Sequence, residues 1–182
     1  MPHRIFAYGS LMWRPDFEFK SARPARLFGY HRALSVLSHH YRGTKEKPGL
    51  VLGLDRGGSC LGLVYDIDAD DWVSTIAKVR EREMLGDVYS EQVKRFRLVE
   101  SGEEVRAITY VVRRQSEQYA PAMSLEQLLH YVGQGHGTMG SCRAYVANTL
   151  RHLRALGIHD HRLEQLAPHV LEPQGSHSGR HA

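Results

Sequence analysis

The sequence predicts an α+β fold, with helices and a largely antiparallel or mixed sheet that is either open or closed as a barrel. Three observations lead there. Strand-type segments crowd the first two-thirds of the chain, a single helical pattern interrupts them, and helical patterns close the chain. Strands and helices do not alternate as a doubly wound parallel sheet requires.

Taken in order, Arg4–Tyr8 is a short apolar strand stopped by Gly9-Ser10. Leu27–Leu37 is a longer strand that contains Gly29. Gly49–Leu54 and Cys60–Ile67 have the composition of two strands, and Asp55-Arg56-Gly57-Gly58 between them predicts a hairpin turn. Gly62 implies a bulge or a close backbone approach. A helix follows, with Asp68 as its expected cap, Asp70 and Asp71 at its positive end, and Gly86 as its stop after about Leu85. Strands return over Val88–Val99 and Val105–Arg113, with Gly102 in the turn. Ser124 with Gln127 forms a capping box for the next helix. Ser141 caps another, which carries Tyr145, Thr149, Leu153 and Leu156 and ends at Gly157. A last short helix begins near Asp160.

At 182 residues the chain suits one domain, read as residues 1–170, with a polar tail over 171–182 expected to be disordered. Apolar residues make up 42% and charged residues 24%, as in ordinary globular proteins. The net charge of +4 is too small to imply nucleic acid without a localised patch. The basic run Lys94-Arg95-Phe96-Arg97 is read as surface strand charge, so no nucleic-acid partner is expected. No apolar stretch is long enough to span a membrane, and the first residues lack the apolar core of a secretory signal. Two cysteines cannot build a disulfide framework, which points to a reduced, cytoplasmic setting. The oligomeric state stays open.

Helix geometry singles out one residue. At ~100° per residue, Ile76, Val79 and Glu83 all fall within about 40° of Trp72, whereas Glu81 falls about 180° away. Glu83 therefore sits in the apolar stripe, where a carboxylate is costly unless it is paired or shifts its pKa. It sits at a fraying helix end and reaches water, or pairs with an arginine, or it is a pocket carboxyl serving as general acid/base. Gly9-Ser10 after a strand is most often a plain turn, yet such a turn can offer N–H groups to an anion. Arg42 before Gly43 can clamp a carboxylate or simply be solvated. The 12 histidines lack ligand spacing, so no metal is expected. Gly133–Gly140 lacks the lysine of a phosphate-binding loop and reads as a connection lining a site.

The segment Tyr8-Gly9-Ser10-Leu11-Met12-Trp13-Arg14-Pro15 resembles the opening motif of the ChaC-type γ-glutamylcyclotransferases, which act on glutathione. Arg42-Gly43-Thr44 with Pro48-Gly49, Arg82-Glu83-Met84 with Tyr89, and Gly135-His136-Gly137 through Ser141-Cys142-Arg143 and Tyr145 are similar to further segments of that family, in the same order. The likeness covers about Arg4 to Leu166. It implies a small mixed β-barrel-like sheet with surrounding helices, no cofactor, Glu83 as catalytic acid/base, and Tyr8, Gly9, Ser10 and Leu11 as the substrate-binding loop. Arg42 and Tyr145 are weaker candidates for the same pocket. The implied reaction converts glutathione to 5-oxoproline and Cys-Gly. A cyclotransferase acting on other γ-glutamyl amines or amino acids, or a non-catalytic γ-glutamyl-binding module, would use the same loop.

Overall fold

The computed structural model describes residues 2–84 and 86–171. The expected tail lies outside these residues from 172 onward, while Leu171 packs against the core. Five strands, β1 (Arg4–Ala7), β2 (Ser21–Ser38), β3 (Gly49–Asp66), β4 (Tyr89–Leu98) and β5 (Glu104–Val112), close a barrel in the order β1-β3-β2-β4-β5. Closure comes from a parallel contact, Ile5 opposite Ile108, and the other neighbours are antiparallel, so the sheet is mixed. A 3-10 turn (Ser10–Met12) follows β1, and helix α1 (Trp72–Glu83) joins β3 to β4. Then come α2 (Leu125–Gln134), the two-residue strands β6 (His136–Gly137) and β7 (Gly140–Ser141), α3 (Cys142–Ala155), α4 (His161–Glu164) and α5 (Ala167–Val170). The α+β barrel with surrounding helices is the architecture the sequence predicts.

The expected hairpin at Asp55–Gly58 does not exist. Both flanking segments belong to the continuous strand β3, paired along its length with β2. Arg56 lies opposite Tyr30 and Asp55 opposite His31, and the register shifts between Phe28 and Tyr30. Gly29, Gly57 and Gly58 all have positive φ there, at 81°, 98° and 69°. The glycines thus absorb a bulge rather than reversing the chain. Gly62 meets the close-approach expectation: a Cβ there would lie 2.3 Å from the Ala7 carbonyl oxygen and 2.6 Å from Phe6 Cζ.

Helix α1 starts later than expected. The Asp68 carboxylate pairs with Lys20 Nζ at 2.7 Å instead of capping, and the first helical residue is Trp72. Two caps match the sequence expectation: Ser124 and Gln127 bond reciprocally, and Ser141 Oγ accepts from the Ala144 N–H at 3.1 Å. The structure adds a third, Asp160, whose side chain caps α4. Phe6 and Phe96 stack at 4.3 Å between centroids within the main core, and α2 and α3 pack on β3. Each such large apolar side chain contributes about 1.5–3 kcal/mol by leaving water.

Candidate active site

A cavity of about 470 Å³ opens beside the end of β1. Its lining includes Glu83, Tyr8, Gly9, Ser10, Leu11, Arg42 and Tyr145, so the residues singled out from the sequence meet in one place. Glu83 ends α1 below the buried stripe of Trp72, Thr75, Ile76 and Val79. Its side chain is 18% exposed, and among the described residues it accepts no hydrogen bond. The nearest cation is Arg82, whose Nε lies 3.6 Å from Glu83 Oε1. Burial pushes the Glu83 carboxyl above its ordinary pKa, and the Arg82 charge opposes that rise. Loss of hydration outweighs the half-buried guanidinium, whose charge is shared with Asp16 and partly screened by solvent.

Tyrosines form much of the remaining wall. Burial first, and then Tyr89, Glu83 and Tyr145, raise the Tyr8 phenol well above its usual value. The Tyr145 hydroxyl accepts from the Leu52 N–H at 3.2 Å, and its pKa is pushed by burial up to about 12. The Tyr89 hydroxyl donates to the Leu52 carbonyl at 2.7 Å. Two phenols thus bracket one residue of β3, and both stay protonated at neutral pH. Arg42 places its guanidinium 5.2 Å from the Tyr145 ring centroid and donates to the Met139 carbonyl. That bond joins the segment after β2 to the β6–β7 hairpin.

Several residues at the site escaped the sequence reading. Arg82 donates to Ser10 Oγ at 2.7 Å and to the Arg14 carbonyl and Asp16 carboxylate at 2.9 Å each. It ties the end of α1 to the loop after β1, and its place beside Glu83 was the signal available. Arg32 and Tyr65 hold the same loop from below. Among the described residues no group of three or more His, Cys, Asp or Glu side chains is arranged to hold a metal ion. No helix among them is long and apolar enough to cross a membrane.

Residues 3–173 match the family described as ChaC-like protein. The chain belongs to that family. This ChaC-like chain is 28% identical over 165 residues to the glutathione-specific gamma-glutamylcyclotransferase of Escherichia coli K12, covering 91% of this chain and 71% of that protein. It is 28% identical over 174 residues to the glutathione-specific gamma-glutamylcyclotransferase of Schizosaccharomyces pombe, covering 82% and 83%. A solved yeast gamma-glutamyl cyclotransferase specific to glutathione superposes with a TM-score of 0.82 at 20% identity, over 92% of this chain and 94% of that one. This last likeness shows the shared fold.

The loop of this ChaC-like protein has an uneven distribution of hydrogen bonds. The Gly9 carbonyl accepts from Met12 N–H at 2.9 Å, and the Ser10 carbonyl from Trp13 and Arg14 N–H at 3.3 and 2.8 Å. The Tyr65 hydroxyl lies 3.0 Å from both the Leu11 and Met12 carbonyls. Arg32 Nε donates to the Tyr8 carbonyl at 2.5 Å. The Tyr8, Gly9 and Ser10 carbonyls are therefore each engaged, and the Leu11 and Met12 carbonyls share the single Tyr65 O–H. By contrast, the N–H groups of Gly9, Ser10 and Leu11 find no acceptor among the described residues. Unpaired donors lining a cavity are suited to a carboxylate or an oxyanion.

Proposed function

We propose that this protein cleaves glutathione to 5-oxoproline and Cys-Gly, with Glu83 as the general acid/base. One observation carries the reading: a half-buried carboxylate that accepts no hydrogen bond among the described residues lines the same cavity as the Gly9, Ser10 and Leu11 N–H groups, which find no acceptor among those residues. The names and extents of the relatives support glutathione as the substrate.

The substrate's α-amine attacks its own γ-carbonyl carbon, a C–N bond closes the five-membered ring, and the amide bond to cysteine breaks. Of the three protons on the α-ammonium, one stays on the ring nitrogen and two pass to the departing cysteine nitrogen. Glu83 can carry each in turn, taking it from the amine and returning it to the leaving group. A carboxyl raised by burial is closer to balance with both partners than an ordinary one. Holding amine and carbonyl together supplies the high effective molarity of an intramolecular attack. The loop N–H groups bind the α-carboxylate or the tetrahedral oxyanion, Arg42 meets the far carboxylate, and Tyr8 and Tyr145 pack the γ-glutamyl chain. The reaction takes place in the reducing cytoplasm, a setting supported by the buried free thiols of Cys60 and Cys142.

The test is incubation with millimolar glutathione without added metal, with Glu83→Gln alongside. Wild type is expected to release 5-oxoproline and Cys-Gly in equal amounts, and the variant to lose kcat by at least ~10²-fold. Absence of both products overturns the substrate and moves the search to other γ-glutamyl compounds. Near-normal turnover by Glu83→Gln overturns the role of that residue.

A further inference from the structure

We propose that Arg32 is the positioning residue of the Tyr8–Leu11 loop, with Asp160 as the counter-ion that lets a guanidinium be buried beneath the site. Arg32 lies on β2, is 2% exposed, and is among the largest fully buried side chains. Its fork reaches several parts of the chain at once. Nε donates to the Tyr8 carbonyl at 2.5 Å, Nη2 to the Leu61 carbonyl at 2.6 Å, and Nη1 to Asp160 Oδ2 at 3.1 Å. Nη2 also lies 3.8 Å from Met12 Sδ, on the far side of the loop. The other Asp160 oxygen accepts from the Arg162 and Leu163 N–H groups and caps α4.

A buried charge is a poor way to fill space. An apolar side chain of similar volume generally stabilises a core as well as a buried ion pair does, or better. What the guanidinium supplies is direction. The peptide between Tyr8 and Gly9 is planar and trans, so its carbonyl and its N–H point opposite ways. Fixing the Tyr8 carbonyl on Arg32 therefore aims the Gly9 N–H away from Arg32. With the Leu11 and Met12 carbonyls both turned towards the single Tyr65 O–H, and the Gly9 and Ser10 carbonyls taken by the N–H groups of Met12, Trp13 and Arg14, the Gly9, Ser10 and Leu11 N–H groups are left for the cavity. Lysine cannot replace this fork, because a point charge lacks its fixed, planar set of donors. Asp160, 128 residues away in sequence, makes the loop geometry depend on the segment that follows α3.

The test uses Arg32→Lys and Asp160→Asn in the full chain, with Val105→Ala on β5 as a stability control. Amide exchange is read at Met12, Trp13 and Arg14, whose N–H groups bond the Gly9 and Ser10 carbonyls. We expect exchange there to accelerate at least ~10-fold in both variants, while β4–β5 peptides keep wild-type rates. Val105→Ala is expected to lower the melting temperature without selective acceleration at the loop. The kinetic arm rests on the glutathione reading: kcat/KM is expected to fall at least ~10-fold in Arg32→Lys, as for a displaced binding group. Wild-type loop exchange in the variants, or acceleration spread equally over the barrel, overturns the proposal. If Arg32→Lys does not fold, Asp160→Asn decides by the same criteria. An inactive wild type overturns the glutathione reading alone, since the exchange arm needs no substrate.

Discussion

Glu83 combines a strong sequence signal with a measurable energetic consequence. Its position on the apolar stripe follows from helix period alone, because Trp72, Ile76 and Val79 fix which way the last turn points. Arg32 carried a comparable signal that is easier to overlook. It alternates with Tyr30 and Leu34 on β2, which puts a charge at a core position, but its acceptors come from β1, β3 and the cap of α4. No local pattern announces partners so distant. For Glu83, burial raises the folded-state pKa above that of the unfolded chain. Stability is then fully present while the group is protonated in both states and is lost as pH rises through the raised value. Glu83→Gln is accordingly expected to melt above wild type at neutral pH, with the difference vanishing below about pH 4, where an ordinary glutamate is protonated. Melting curves of both proteins across that range check it. Equal melting temperatures at neutral pH would mean that the carboxylate is not desolvated.

The elements were legible where their signals are local. Capping boxes and N-caps depend on residues three apart, and Ser124 and Ser141 both cap their helices as the sequence predicts. The hairpin at Asp55–Gly58 failed because a Gly-Gly pair signals positive φ, and positive φ serves a bulge as well as a turn. Which one forms is decided by the partner strand, and β2 runs past the bulge with its own glycine, Gly29, opposite. Gly62 is the element-scale weak point, since β1 passes directly over it. Gly62→Ala forces a methyl against the Ala7 carbonyl and the Phe6 ring, and overpacking of this kind costs about 1–3 kcal/mol. Urea unfolding is expected to show that loss. It should also show reduced activity per folded molecule, because Ala7 leads straight into Tyr8. A variant as stable as wild type would show that β1 can move aside.

At the scale of the molecule, buried or half-buried carboxylates join barrel strands to each other and to neighbouring segments. Asp66, on β3, accepts from Arg4 of β1 and from Ser21 and Arg23 of β2. Glu91, on β4, accepts from Arg80 of α1 and from Tyr110 of β5. Asp55 accepts from Arg114 and Tyr119, beyond the end of β5. Burial raises the Asp66 and Asp55 carboxyls, but their donors outweigh it and hold both below the ordinary range. The Arg80 hydrogen bond leads the lowering of Glu91. Such groups contribute stability above their unfolded pKa and lose it as pH falls through the depressed folded value. The melting temperature is therefore expected to drop steeply below about pH 4, the unfolded value of a carboxyl. Asp66→Asn should flatten that drop while lowering stability at neutral pH. An unchanged acid profile in Asp66→Asn would remove Asp66 from the barrel's acid-labile contacts.

The sequence by itself determined the α+β class, the order and caps of most elements, and the direction in which Glu83 points. These follow from periods of two and 3.6 residues and from contacts a few residues long. Only the tertiary structure decided that β2 and β3 are single long strands, that the barrel closes through Ile5 and Ile108, and that Arg42, Tyr145 and the Tyr8–Leu11 loop share one cavity with Glu83. Those outcomes depend on residues far apart in sequence, as Ile5 and Ile108 are, or Tyr8 and Tyr145. Such pairs are selected by burial and by the need to satisfy every buried polar group at once, which no local pattern encodes.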